Sequence, residues 1–193
     1  MPKRFGLVID QERCIGCEAC SVACIIENNP ATGPFIRVQT IGGESKDTPK
    51  GRYQELKMEF LPRLCMHCDS PPCAKACPNH AIKKRPDGLV ILYSEECNGC
   101  QLCIDACPYD AISYSADSGL VEKCNFCFHR IDKGLEPFCV ICCQGQAMYF
   151  CDLNDSNSKI VHLLARRSTY KLKPELNTGP AVIYCRSNEA RRL

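Results

Sequence analysis

Nineteen of the 193 residues are cysteine, and their spacing constrains the fold more than any other feature of the sequence. Sixteen of them form four groups of four, each of which begins with C-x2-C and ends with C-x3-C. The groups are, in chain order, Cys14, Cys17, Cys20 and Cys24; Cys65, Cys68, Cys73 and Cys77; Cys97, Cys100, Cys103 and Cys107; and Cys124, Cys127, Cys139 and Cys143. The cysteines outside these groups are Cys142, Cys151 and Cys185.

This grouping predicts metal ligation rather than disulfide bonds, because the number of cysteines is odd and they crowd at two- and three-residue spacings. Thiolates are soft ligands that suit iron–sulfur clusters, zinc and copper(I). Zinc is usually bound by two C-x2-C pairs from separate segments. Here three cysteines of the first and third groups lie within seven residues, as they do in two-cluster ferredoxins. Four complete groups therefore predict four [4Fe–4S] clusters.

An internal repeat links three of the groups. Residues 77–82 recur thirty residues later as residues 107–112, with the pattern Cys-Pro-x-x-Ala-Ile. A proline often follows the fourth cysteine in two-cluster ferredoxins, where that cysteine ligates the other cluster of the pair. Residues 143–148 are a weaker third copy in which glutamine replaces the proline. The copies align Cys143, rather than Cys142, with the last cysteine of the other groups.

Secondary structure outside the cysteine groups is indicated by periodicity. Apolar and polar residues alternate over residues 36–40 and 56–60, on either side of a turn-rich stretch. This pattern predicts a β-hairpin with a long loop. We also expect a short helix capped by Asp155 or Ser156 and one more strand at residues 181–184. The rest of the carboxy-terminal part is expected to pack in extended form over the core or over a partner.

Composition excludes several classes of protein. Without its cysteines the chain has an apolar share of roughly 35%, below the usual range, and it has no tryptophan. The interior is therefore expected to depend on what the cysteines bind. A net charge of +2 gives no reason to expect nucleic acid as a partner. No apolar run approaches the ~18 residues of a membrane-spanning helix, and no catalytic or nucleotide-binding motif is present.

Spacing alone permits two ways of pairing the groups into two-cluster units. The second and third groups share the repeat and are separated by twenty residues, from Cys77 to Cys97, which favours a unit of these two. The first group would then pair with the fourth. Alternatively the third group pairs with the fourth, across Cys107 to Cys124, which leaves the first with the second.

Several motifs together resemble a known family. They are residues 65–73 (CMHCDSPPC), 119–121 (GLV), 123–130 (KCNFCFHR) and 132–134 (DKG). The chain resembles the iron–sulfur electron-transfer subunits of dimethyl-sulfoxide-reductase-type molybdopterin oxidoreductases, which include polysulfide, thiosulfate and arsenate respiratory enzymes. The resemblance runs from about Phe5 to Asp152 and is weaker beyond.

The resemblance implies an α+β fold of two interleaved bacterial-ferredoxin-like units that bind four [4Fe–4S] clusters. Residues 1–30 and 120–151 would form an outer unit, and residues 63–119 an inner unit. Residues 31–62 would be an inserted β-hairpin, and residues 152–193 a carboxy-terminal extension without the cysteine motifs. This scheme pairs the first group with the fourth and the second with the third.

With that pairing, the last cysteine of each group ligates the partner group's cluster, so each cluster has three ligands from one group and one from its partner. The first cluster is expected on Cys14, Cys17, Cys20 and Cys143, and the second on Cys65, Cys68, Cys73 and Cys107. The third is expected on Cys97, Cys100, Cys103 and Cys77, and the fourth on Cys124, Cys127, Cys139 and Cys24. We expect His67 and His129, beside these ligands, to pack or to donate to the backbone. Cys151 and Cys185 are expected to be small buried residues.

The function implied is electron transfer without catalysis by this chain itself. The partners implied are a molybdenum or tungsten bis-pterin catalytic subunit and a quinone-reactive membrane subunit or another redox carrier. The alternatives are an electron-transfer subunit of a tungsten aldehyde-oxidoreductase-type enzyme, an independent polyferredoxin, and a zinc-stabilised interaction module. Because cluster assembly needs reduced thiols, we expect assembly in the cytoplasm, followed by retention there or by export of the folded protein with its catalytic partner.

Overall fold

The computed structural model describes residues 2–42, 45 and 47–186, and the last seven residues of the predicted extension lie outside this range. The strands are β1 (Phe5–Asp10), β2 (Arg37–Ile41), β3 (Glu59–Arg63), β4 (Ile82–Lys84), β5 (Val90–Leu92), β6 (Ile112–Ser115), β7 (Leu120–Lys123), β8 (Met148–Asp152), β9 (Ser168–Tyr170) and β10 (Val182–Arg186). The α-helices are α1 (Ala19–Asn28), α2 (Pro72–Lys75), α3 (Leu102–Asp105), α4 (Phe128–Ile131), α5 (Phe138–Ile141) and α6 (Lys159–Arg166). The fold is thus mixed α and β, as the sequence predicted.

The largest sheet joins the two ends of the described chain. Its strand order is β8-β1-β10-β9, in which β1 is antiparallel to β8 and parallel to β10. Leu7, Ile9, Val182 and Tyr184 of its two central strands are fully buried. The expected strand at 181–184 is therefore present, but β10 is a central strand of the main sheet rather than a segment laid over a finished core. Val182 and Tyr184 pack in the main core on one face of the sheet, and Cys185 packs beside Ile160 and Leu164 on the other.

The other strands of the described residues form three two-stranded antiparallel ribbons. The pairs β4–β5 and β6–β7 are the two copies of the sequence repeat, and their registers correspond: Ile82 pairs with Leu92, and Ile112 pairs with Lys123. The pair β2–β3 lies where alternation predicted a hairpin. Its second strand begins at Glu59, three residues later than expected. Leu56 precedes it and is exposed, because this end of the ribbon projects into solvent.

The helices are short where the cysteines are dense. Each of α2, α3, α4 and α5 has four residues, so none of them would be stable in isolation. The helix expected after Asp155 is α6, and its cap is Ser158, whose hydroxyl accepts the N–H of Ile160. Asp155 instead accepts the N–H of Asn157 in the preceding turn. None of the described helices has the length and apolar character needed to span a bilayer.

Candidate metal centres

The four C-x2-C loops share one backbone feature. The residue before the second cysteine has a positive φ in every loop: Gly16 at 71°, His67 at 41°, Gly99 at 71° and Phe126 at 54°. Glycine adopts this conformation without penalty, and two of the loops use it. His67 and Phe126 adopt it at some cost, and their rings stack with centroids 3.7 Å apart and an interplanar angle of 24°. The burial of this ring pair offsets the unfavourable backbone at both positions.

Because of this loop geometry, backbone N–H groups point at the cysteine sulfurs. The amides of Gly99 and Phe126 each donate to the Sγ of the cysteine two residues earlier, at 3.4 Å. The last cysteine of a group accepts from the residue four positions later: Ala81 donates to Cys77, and Ala147 donates to Cys143, both at 3.2 Å. Amide donors of this kind stabilise the thiolate form and are one of the levers that set a cluster's potential.

Three of the predicted ligand sets surround separate cavities. Each of the three cavities has four cysteines in its wall. One cavity is lined by Cys65, Cys68, Cys73 and Cys107; the next by Cys77, Cys97, Cys100 and Cys103; and the last by Cys24, Cys124, Cys127 and Cys139.

The chemistry of these cavities fits an iron–sulfur cluster. In the part of the chain that the structure describes, no three His, Cys, Asp or Glu side chains converge as ligands of one metal ion. The four sulfurs are instead distributed around a space with almost no polar surface. A [4Fe–4S] cluster bound there would supply one-electron redox chemistry, and the chain's part is to provide thiolates, amide donors and an apolar wall.

Cys14, Cys17, Cys20 and Cys143 form the remaining predicted set. Burial raises the pKa of Cys20 to about 12, and the neighbouring Cys14, Glu18 and Cys143 contribute to this rise. Cys143 and Cys17 likewise raise the pKa of Cys14, where burial is again the main cause. These sulfurs are therefore electrostatic neighbours, although Cys143 is far from the others in sequence.

The loop after Cys143 has the same N–H···S hydrogen bond as the loop after Cys77, which has proline at the corresponding position. Gln144 occupies the proline position, yet the N–H···S distance from Ala147 equals the one from Ala81 to Cys77. Gly145 permits close packing here, because a Cβ atom at this residue would lie 2.2 Å from the carbonyl oxygen of Arg13. The Arg13 side chain in turn donates to the Gly145 carbonyl. Tertiary packing of this loop against the first group therefore replaces the restriction that proline imposes in the other copies.

Burial makes these thiols weak acids when no cluster is bound. It raises the pKa of Cys73 to about 12 and that of Cys68 to about 11, and it raises the pKa of Cys124 well above its usual value. At neutral pH the cluster-free chain therefore holds neutral thiols at these positions. A positively charged iron–sulfur core favours thiolates, so protons are released when it binds.

Two polar side chains contact the cysteines without being indicated by the sequence motifs. The Nδ2 of Asn28 lies 3.8 Å from the Cys24 sulfur and 3.6 Å from the Cys127 sulfur. The Thr178 hydroxyl counteracts part of the rise in the pKa of Cys68 that burial causes, and it lies 2.6 Å from the hydroxyl of Tyr109. No spacing pattern could have predicted the contacts with Cys127 and Cys68, since they join segments far apart in sequence.

The two histidines beside the ligands have different environments. His67 is fully buried and its ring packs on Phe126, as expected, while its Nδ1 accepts the N–H of Val90 at 3.0 Å. Burial and the nearby Lys123 lower the pKa of His67 well below its usual value. His129 is partly exposed and lies 2.6 Å from the Glu27 carboxylate.

The ungrouped cysteines stand apart from the cavities. Cys151 and Cys185 are buried beside Val8 in the main sheet, as expected of small apolar residues. Cys142 immediately precedes the predicted ligand Cys143 and is half-buried.

Comparison with known proteins agrees with this geometry. Two family models, both described as a 4Fe-4S dicluster domain, match residues 13–81 and 56–153. The chain is 42% identical over 204 residues to a putative dimethyl sulfoxide reductase iron-sulfur subunit of Halobacterium salinarum, covering 93% of this chain and 78% of the relative. It belongs to the family of iron–sulfur subunits of dimethyl-sulfoxide-reductase-type molybdopterin oxidoreductases.

Other members of the family are named for different substrates. A tetrathionate reductase subunit of Salmonella typhimurium is 41% identical over 189 residues, with 97% of this chain and 74% of the relative covered. The arsenate respiratory reductase iron-sulfur subunit of a Shewanella species is 35% identical over 232 residues, with 95% and 97% covered. The two matching domain models and the nineteen cysteines identify [4Fe–4S] clusters as the cofactors of the chain.

Proposed function

We propose that the chain transfers electrons through four [4Fe–4S] clusters between a molybdenum or tungsten bis-pterin catalytic subunit and a second redox partner. The ligand sets are those predicted from the sequence, and substrate chemistry is assigned to the catalytic partner. One observation carries the proposal: the two cysteines of one C-x3-C segment line different cavities. Cys73 and Cys77 at α2 line two neighbouring cavities, and Cys103 and Cys107 at α3 line the same two in the opposite order. A single helical turn thus separates adjacent redox centres.

The four clusters would form a row in the order first, fourth, second, third. The link between the first and fourth is supported by Cys20 and Cys24, which lie one turn apart on α1. The link between the fourth and second is supported by the electrostatic interaction of Cys124 with Cys65. The exposed cysteines Cys17 and Cys100 are members of the two terminal sets. Electrons would therefore enter and leave at the two ends of the row.

The end of the row at the first cluster exposes several large apolar side chains. Four exposed side chains lie on the segments that hold this cysteine set: Ile15 (60% exposed), Val22 (54%), Ile26 (70%) and Ile141 (52%). We call these four side chains the first-cluster face. Grouped exposed apolar residues mark interaction sites, and permanent interfaces are the more apolar ones. We therefore propose this face as the docking surface of the catalytic partner.

Replacing Ile26 by lysine is expected to weaken binding of the catalytic partner at least tenfold while leaving the clusters intact. The substitution puts a charge into an apolar contact, and a lysine in the last turn of α1 does not oppose the helix dipole. The matched control is Leu176→Lys, because Leu176 is 47% exposed but lies outside the first-cluster face. Co-purification yield and iron content check both variants. Equal binding by the Ile26 and Leu176 variants would refute the assignment of this face.

Purification under anaerobic conditions with the native partner tests the function as a whole. We expect about sixteen iron and sixteen sulfide per chain, since four cubane clusters contain four of each. We also expect the oxidised substrate of the catalytic subunit to reoxidise the dithionite-reduced chain only when that subunit is present. A zinc content, or iron near eight, would refute the four-cluster proposal. A chain that purifies alone and exchanges electrons freely with soluble carriers would favour the polyferredoxin alternative.

A further inference from the structure

A lysine is buried between the two units of the fold. Lys123 is 4% exposed and occupies an inward-facing position of β7, next but one to the buried Val121. The corresponding residue in the first copy of the repeat is Leu92, since Ile82 pairs with Leu92 as Ile112 pairs with Lys123. A position that is apolar in one copy therefore contains a cation in the other.

The Lys123 ammonium is hydrogen-bonded but has no acidic partner. Its Nζ donates to the carbonyl oxygens of Val90 and of Cys124, the second at 2.9 Å. Among the residues that the structure describes, no carboxylate forms an ion pair with it. Burial of a charge without a counter-charge is costly, so an ammonium at this position needs a negative group beside it, and no described carboxylate provides one.

The nearby ring of His67 does not supply a second positive charge. Nδ1 of His67 accepts the N–H of Val90, and an imidazole that accepts a hydrogen bond is not an imidazolium. Its ring is stacked on Phe126, which holds it in place. The positive charge buried at this junction is therefore that of Lys123.

The position of Lys123 relates it to two of the cysteine sets. It interacts electrostatically with Cys73 of the second set, and it is bonded to the carbonyl of Cys124 of the fourth set. A [4Fe–4S] core of charge +2 with four thiolates has a net charge of about −2, and one-electron reduction makes it about −3. The negatively charged second and fourth clusters would therefore lie on either side of the Lys123 ammonium.

We propose that Lys123 is the shared counter-charge of the second and fourth clusters and that it raises the reduction potential of both. The inference rests on the proposed four-cluster function. When one electron passes between neighbouring clusters, the donor core loses one negative charge and the acceptor core gains it, and no proton or ligand is exchanged. The positive charge of Lys123 stabilises the negative charge that the acceptor gains. It is a positioning residue for electron transfer between the units.

The test is redox titration of the complete chain with its partner, followed by electron paramagnetic resonance. The variant Lys123→Gln keeps amide donors for the two carbonyls but removes the charge. We expect the reduction equilibrium constants of the second and fourth clusters to fall about tenfold, which is a shift of about 59 mV for one electron. The first and third clusters should shift less. Lys123→Arg should stay near the wild type, and Lys133→Gln, at an exposed position, is the control.

The outcomes separate this inference from the proposed function. Unchanged potentials in a Lys123→Gln protein with full iron content overturn the inference and leave the function standing. Loss of the second and fourth clusters in the Gln variant, with retention in the Arg variant, supports it, because the charge is then needed for assembly. Loss in both variants overturns it in favour of a packing role. A wild-type chain without four clusters refutes the proposed function instead.

Discussion

Removal of the iron–sulfur clusters is expected to unfold this protein. One of its apolar clusters consists of Cys73, Ile82, Val90, Cys103, Ile112 and Val121, so two of its six buried members are predicted ligands. Three of the four helices that contain a predicted ligand have only four residues and depend on tertiary contacts. Binding at a site that is absent from the unfolded chain adds its free energy to folding. For structural zinc this amounts to about 10–16 kcal/mol, comparable with the whole stability of a domain, about 5–15 kcal/mol.

Circular dichroism after anaerobic chelation or ferricyanide treatment is the measurement. We expect the cooperative thermal transition of the cluster-loaded protein to disappear and most helical signal to be lost. The control is the same chain kept under argon without chelator, and readdition of iron and sulfide should restore the transition. A cluster-free chain that still melts cooperatively would show that the sheet β8-β1-β10-β9 is stable on its own.

Replacing Cys143 by serine is expected to remove the first cluster, with loss of about four of sixteen iron atoms, whereas Cys142→Ser should leave all clusters in place. The physical reason is the geometry of the loop. The Cys143 sulfur accepts the N–H of Ala147 and is an electrostatic neighbour of Cys14 and Cys20. The two variants are matched, since they differ by one position at the end of α5 and both residues are half-buried.

Electron paramagnetic resonance of the reduced variants distinguishes the clusters. Cluster loss in the Cys142 variant, with a normal spectrum for the Cys143 variant, would mean that the neighbouring cysteine is the ligand. Cys77→Ser extends the experiment to the inner unit. It should perturb the third cluster, because Cys77 lines the cavity of Cys97, Cys100 and Cys103. A perturbed second cluster with an intact third would contradict the exchange of last ligands between groups.

The parts of the site that the sequence predicted are those with short-range causes. A C-x2-C loop has few conformations available, so Gly16 and Gly99 mark the same positive φ that the other two loops adopt. The repeat of residues 77–82 and 107–112 likewise corresponds to two equivalent ribbons, since β4–β5 and β6–β7 have equivalent registers. The capping residue of α6 and the first residue of β3 were predicted less well. Ser158 rather than Asp155 caps α6, because side chains of both types satisfy a helix terminus equally well.

Ligand chemistry, family and the local shape of each loop follow from the order of residues in the chain, because they depend on residues within a few positions of one another. The sharing of a cavity by distant sulfurs and the place of β10 beside β1 depend on tertiary packing. So do the positions of Thr178 and Asn28 beside sulfurs and the burial of Lys123 against the carbonyl oxygen of Val90. Burial, and the electrostatic effect of a single charge, arise from contacts between segments far apart in the chain. Such contacts leave no periodic pattern in the sequence.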